Sequence, residues 1–352
     1  MNTFLFTGSD EFNKMKDVLF VLLLLVRQVV AAQTDSSPGK GRFISFTPTK
    51  FYREYFSGTT PVLTIEPGDI ISTESIDAGG FDKNGERRSE RGNPLTGPFY
   101  IQGALTGDAI AITITRIKLN RSFATTLEAL VPKSLPGKGT KKMWRSAKLV
   151  RWHIDTLKNT ASPAKKHEHL KNFEVPLHPF LGCVGVAPAN AKKIGSGASG
   201  VYGGNLDSKL VTGSSTLYLP VFNDGALLFL GDGHALQGDG ELNGDALETS
   251  MSFDFTVRVI KNGAADLKYP RMEDEKYRVA FGIEKNLTEA LKAANRNMLD
   301  WLQKDYWLSY LEATQVIGTS IEYKIPKIAA TLAEIAAMIP KPVLQTLRKA
   351  ND

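Results

Sequence analysis

The stretch "FLGDGHALQGDGELNG" sets Asp232, His234, Gln237, Asp239 and Glu241 among closely spaced glycines, where the apolar run "GALLFL" ends. Carboxylate oxygen and imidazole nitrogen together suit a hard or borderline divalent cation. A carboxylate left outside the coordination can act as general base toward a water that the cation activates. On an extended backbone alternate residues share a face, so Asp232 and His234 point the same way. Asp239 and Glu241 do likewise beyond the bend that Gly233 and Gly238 permit, and these glycines let the backbone approach a small ligand closely. The competing reading of so short an acidic segment is a polar hairpin whose acids cap backbone amides.

The elements that must carry these groups read as strands. From "FISFTPTKFY" to about Leu119, short β-like runs alternate with turns. In "AIAITITRI", Ile110, Ile112 and Ile114 fall on one face and Ala111, Thr113 and Thr115 on the other, the pattern of a half-buried strand. The pattern weakens between Ala124 and Asn172, a lysine-rich excursion over the surface. It returns in "FLGCVGVAPA", "STLYLPVF", "ALLFLGDGHAL" and "SMSFDFTVRVI", whose short spacing predicts antiparallel sheets. In "NLTEALKAANRNMLDWLQKDY", Leu287, Leu291, Ala294, Met298 and Leu302 recur at helical steps. Ser309 with Glu312 offers a capping box for a second helix, and "IAATLAEIAAMI" predicts a third, closed by Pro340. The fold class is mainly β (α+β), with sandwich-like or barrel antiparallel sheets and a C-terminal helical segment. The regions are 1–32 signal peptide, 33–133 N-terminal β region, 134–172 basic surface insertion, 173–262 central β region with the site motif, and 263–352 C-terminal helical region.

The signal-peptide reading rests on "KMKDVLFVLLLLVRQVVAAQ": lysines, the apolar run Val18–Val26, then Val30-Ala31-Ala32 before a cut after Ala32. The run is well short of the roughly 18–20 residues of a bilayer span, so no membrane anchor is expected after cleavage. The protein is therefore expected to be exported, periplasmic or secreted. Cys183 is the single cysteine, which excludes an internal disulfide and any multi-cysteine metal site. A net charge of +6 without a basic run interleaved with aromatics argues against nucleic-acid binding. "GSGASG" satisfies a dinucleotide fingerprint only literally, since lysines rather than an apolar strand precede it and no helix follows. No phosphate loop and no serine-hydrolase elbow is present.

In order along the chain, "NPLTGPFYIQGALTGDAIAITI", "FLGCVGVAPA", "GGNLDSKL", "GSSTLYLPVF" and "LFLGDGHALQGDGELNGDALE" resemble the acetamidase/formamidase family, from about Val62 to Asp300. The resemblance implies a mostly β fold with jelly-roll-like sheets and added helices, and hydrolysis of the C–N bond of a short amide such as formamide or acetamide to ammonia and carboxylate. It also implies a divalent metal, zinc first with calcium as the alternative, and a homodimer or larger homo-oligomer. By position it assigns His234, Asp207 and Asp77 as metal ligands, Asp232 as ligand or orienting group, and Glu241 as general base. Gln237 and Asn205 become the candidates for binding the substrate amide. The alternative reading is a non-catalytic β-sandwich that binds a small molecule; joint retention of Asp207, Asp232, His234 and Glu241 favours the enzyme. Two departures bear on substrate. Asn93 stands where relatives often carry a histidine before "PLTGP", and the insertion from about Ser134 to Lys171 leaves room for a larger amide, with the insertion as one wall of its pocket.

Overall fold

The alternation in "AIAITITRI" becomes the Ala109–Leu119 strand, inside a nine-stranded sheet of a computed structural model that describes residues 41–347. The signal-peptide segment, residues 1–32, lies outside the described residues. Ala109–Leu119 pairs antiparallel with Ser215–Pro220 on one side and Met251–Ile260 on the other. Beyond Met251–Ile260 come Ile70–Ser75 and, parallel to it, Phe43–Ser45. Beyond Ser215–Pro220 come Arg271–Glu273, Tyr277–Glu284, Ala333–Pro340 and Glu322–Lys324.

A six-stranded sheet packs against this one, with Phe180–Val186, Leu228–His234 and Leu95–Ile101 adjacent near its middle. One apolar cluster draws on both sheets. Phe99 meets Phe255 edge-on at 5.2 Å between ring centroids, and Leu230 and Phe229 share the cluster with Ile112 and Val257. Every residue of the Leu228–His234 strand is buried. Burial on both faces explains why its first half reads as an unbroken apolar run rather than an alternation. The mainly β sandwich expected from the strand spacing is the observed architecture.

The segment read as a solvated excursion is itself folded. Phe123–Leu127, Leu149–Asp155, Thr160–Pro163 and Val175–Pro176 form a four-stranded antiparallel sheet, with a short helix at Thr140–Arg145. Ala124, Ile154, Ala161 and Leu177 pack with Ala235 and Leu247 as a small separate core. This sheet is tied to the sandwich through Glu248, whose backbone bridges both Thr125 and His234. The lysines of this segment lie in the connections and the short helix, not in the strands, so its composition reads as surface loop although short strands run through it.

The helix Leu287–Tyr306 buries Ala290, Ala294, Met298 and Leu302, while Leu287 and Leu291, expected on that face, are partly exposed. The stripe is therefore rotated toward the small residues, because the helix lies close over the sheet. A Cβ on Gly282 would fall 2.0 Å from the Ala290 carbonyl oxygen. Ser309 and Glu312 form the reciprocal capping box of the helix Tyr310–Ser320. The third expected helix is instead a strand, Ala333–Pro340, paired on both sides. Ile335 and Ala337 face Ala290 and Ala294, while Ala336 and Met338 face the central cluster. A strand apolar on both faces carries no period that separates it from a helix. Among the described residues no helix is long and apolar enough to cross a membrane.

Candidate active site

Asp232 and His234 come from the end of the Leu228–His234 strand, and Glu241 and Glu248 from the segment that follows it. Asp207 arrives from beyond Gly203–Asn205, a strand two places away in the same sheet. None of the five side chains' residues is more than 7% exposed. Two groups of three share the imidazole, Asp207–His234–Glu241 and Asp232–His234–Glu248, each with its ligand atoms within 4.8 Å of one another. His234 Nε2 approaches Asp232 Oδ2 to 3.5 Å and Glu248 Oε1 to 3.2 Å, yet neither ring nitrogen has a hydrogen-bond partner. Asp207 Oδ1, Asp232 Oδ1 and Glu248 Oε2 are likewise buried without partners. Buried polar groups left in this state are costly. A divalent cation would satisfy oxygen and nitrogen donors together, so the residues present fit one.

The backbone is bent to bring these groups together. Asp207, Asp232 and Glu241 all hold left-handed conformations, with φ of 43°, 59° and 51°, as does the neighbouring Asn93 at 49°. Residues other than glycine rarely adopt this region, and each such placement costs on the order of 1–3 kcal/mol. Space for the convergence comes from Gly182 on the adjacent strand. A Cβ there would lie 2.7 Å from Asp207 Oδ1, 2.7 Å from Asp232 Oδ2 and 2.8 Å from His234 Cε1.

A buried polar scaffold holds the carboxylates. Lys327 Nζ lies 2.9 Å from Asp207 Oδ2 and 3.3 Å from Glu334 Oε1, and it donates to the Asn205 carbonyl. Ser199 donates to Glu334 at 2.5 Å. Asn205 donates to Asp207 Oδ2 at 2.5 Å and accepts from Asn93 at 3.0 Å and from the Cys183 thiol at 2.9 Å. Asn93 also donates to Asp232 Oδ2 at 2.8 Å. With both ends of its amide engaged, Asn205 orients Asp207 instead of meeting substrate, as had been expected of it. Cys183 is fully buried and its thiol pKa is pushed up, first by burial and then by Asp232.

Burial dominates the electrostatics. It raises the pKa of Glu241 well above the usual carboxylate range, with Asp207 adding to the effect, and it raises Asp207 against the pull of Lys327. Glu248 is pushed up to about 8 by burial, against the opposing field of His234. For His234, burial disfavours the imidazolium, but Glu248 and Asp232 outweigh it and the pKa rises. Lys327 is pushed up by Asp207 and Glu334 in spite of its burial.

Asp77, read as a metal ligand, is not in the cluster. Its Oδ2 is paired with Arg121 at 2.5 Å and its Oδ1 accepts the Phe81 N–H at 2.8 Å, an ion pair that pins the 77–82 loop. Asp239 points outward to Lys209. Gln237 is at the site, its amide nitrogen donating to the Asp207 and Pro326 carbonyls and its Oε1 buried without a partner. Glu248 and Lys327 escaped the sequence reading. Neither lies at a spacing from His234 that a local pattern would flag. Two cavities reach the cluster. One of about 540 Å³ is bordered by Gln237 and Glu241, and one of about 240 Å³ by Arg91, Arg151 and Glu248; both touch Asp245.

Fold and site together define a β-sandwich protein with a buried carboxylate–imidazole centre suited to a cation. The model of the acetamidase/formamidase family matches residues 198–328, which include Asp207, Asp232, His234, Glu241, Glu248 and Lys327. A formamidase of Methylophilus methylotrophus is 29% identical over 223 residues, 59% of this chain and 52% of its own length. The acetamidase structure from Bacillus halodurans aligns at a TM-score of 0.72 and 26% identity, covering 86% of this chain and 99% of its own. That from Yersinia enterocolitica gives 0.75 and 25%, covering 88% and 95%. Over residues 198–328 the chain matches the acetamidase/formamidase family, and the solved structures it resembles along most of its length are named acetamidases. It spans about half the length, or less, of the curated relatives it matches.

Two measurements probe this arrangement. Arg121→Met, which strands the buried Asp77 carboxylate, is expected to cost about 3–5 kcal/mol in urea unfolding, while Asp77→Asn leaves the metal content of the purified protein unchanged. A drop in metal content for Asp77→Asn would return that residue to the ligand set. The second is pH dependence in chelator. Glu248 and His234 both hold protons more tightly folded than unfolded, so stability is greatest below the ordinary glutamate value and is lost as pH rises toward about 8. Tm in chelator should fall across that window, and added zinc should flatten the slope; a chelated Tm that rises with pH contradicts the assignment.

Proposed function

We propose that this chain is a divalent-metal-dependent amidase that hydrolyses the C–N bond of a short-chain carboxamide. The observation that carries the reading is the buried set of acceptor atoms around His234 that lack any partner within the protein. Asp232, His234 and Glu248 would hold the cation with Asp207 beside them, and the imidazole donor favours zinc over calcium. When bound, the cation supplies Lewis acidity toward water and toward the carbonyl oxygen. The family match and the names of the relatives support the reaction class.

Glu241 is the proton carrier. It borders the larger cavity, and its burial keeps the carboxyl able to hold a proton at a pH where an exposed glutamate would not. It takes one proton from the attacking water as the oxygen–carbon bond forms, and gives it to the nitrogen as the carbon–nitrogen bond breaks. Amide and water thus become carboxylic acid and ammonia. Gln237, which borders the same cavity, is the candidate contact for the substrate amide. Asn93, Asn205 and Lys327 fix the directions of Asp232 and Asp207.

Ammonia release from formamide and acetamide is expected to vanish with chelator and return with zinc. Glu241→Gln should cut kcat by about 10²–10⁴-fold, the range for a general base, with metal still bound. Wild-type turnover in that variant removes Glu241 from the role, and tight amide binding without ammonia at any metal favours the non-catalytic reading. We further propose export, from residues 14–32, and self-association, for which the exposed neighbours Trp307, Tyr310 and Leu311 offer an apolar surface. Amino-terminal sequencing that finds residues 14–32 uncleaved, or a monomer mass by light scattering, would remove these two readings respectively.

A further inference from the structure

The geometry points to a preferred substrate larger than acetamide: a primary amide whose acyl group is a medium-length alkyl chain or a ring. This rests on the amidase reading above. The cavity bordered by Gln237 and Glu241 runs between the 236–247 segment and the four-stranded sheet. Its wall includes Leu130, Val150, Trp152, Val175, Leu236 and Leu242, all half-buried apolar side chains. The cavity measures about 540 Å³. At about 30 Å³ for each heavy atom, the share of a water in the liquid, acetamide fills on the order of 100 Å³. Pockets of roughly 300–1,000 Å³ belong to much larger ligands.

The polar and apolar parts of the wall are arranged to orient such a molecule. Glu241 and Gln237 provide a polar part of the wall, where the carboxamide must sit to react. The apolar residues from the Leu149–Asp155 and Val175–Pro176 strands face a tail attached to the carbonyl carbon. The sheet is held over the segment by specific bonds: Val131 N–H to the Leu242 carbonyl at 2.7 Å, Thr126 to the Asp245 carbonyl at 2.9 Å, and Asn243 to the Leu127 carbonyl at 2.8 Å. Short amides are cleaved at the same centre but leave this wall untouched.

The test uses the metal-loaded full chain with acetamide, hexanamide, phenylacetamide and N-pentylacetamide. One added methylene in an apolar pocket is worth at least about tenfold, so kcat/KM for hexanamide or phenylacetamide should exceed that for acetamide by about tenfold or more. Val150→Trp and Val175→Trp, on different strands, each fill the cavity and should lower that ratio about tenfold. A wild-type ratio near one, a ratio unmoved in both variants, or a preference for N-pentylacetamide over hexanamide overturns the proposal. If no amide yields ammonia at any metal, the hydrolase reading fails. Calorimetry then decides the cavity: hexanamide binding wild type about tenfold more tightly than Val150→Trp supports it, and equal or absent binding overturns it.

Discussion

The structure depends on negative charge removed from water. Asp207, Asp232, Glu241, Glu248 and Glu334 are all buried in one region, with the Lys327 ammonium and the His234 imidazole set among them. Isolated carboxylates in a dry interior are expensive, and the surroundings show how much is arranged around them. Lys327 is shared between Asp207 and Glu334, asparagine amides engage Asp207 and Asp232, and burial shifts the Glu241 and Glu248 pKa values upward. One oxygen of each of Asp207, Asp232, Glu248 and Glu334 remains without a partner. A cation at their centre would answer the acids gathered in this way, and the sandwich is the frame that brings them together.

Much of the frame was readable because strands and caps are local. Ile110, Ile112 and Ile114 announce a half-buried strand, and Ser309 with Glu312 announces a helix start, since each signal involves residues a few positions apart. The motif around His234 was readable for the same reason. Glu248 and Lys327 were not, because they reach His234 and Asp207 through pairing between segments that only the fold brings together. Asp77 misled because the family resemblance assigned it by position, and only the buried guanidinium of Arg121 shows what its carboxylate pairs with. Ile335 to Ile339 misled because a strand covered on both faces has no polar position to mark its period.

The lysine-rich segment changes standing once its strands are seen. It is a four-stranded sheet, additional to the two of the sandwich, whose edge runs along the loop that carries Glu241 and Glu248. The backbone of Glu248 pairs with Thr125 on this sheet and with His234 on the other. One residue thus belongs to the centre by its side chain and to the joint between sheets by its main chain. The added sheet and the acid cluster share structure at that joint, and Ala235 and Leu247 extend the contact as a common apolar floor.

The left-handed backbone at Asn93, Asp207, Asp232 and Glu241 sets the direction in which these positions drift. Glycine relieves each of them, whereas a β-branched side chain aggravates the strain. A lineage freed from selection on its chemistry would slide downhill toward a tougher, inert sandwich, keeping the outline of the molecule while shedding its acids one at a time.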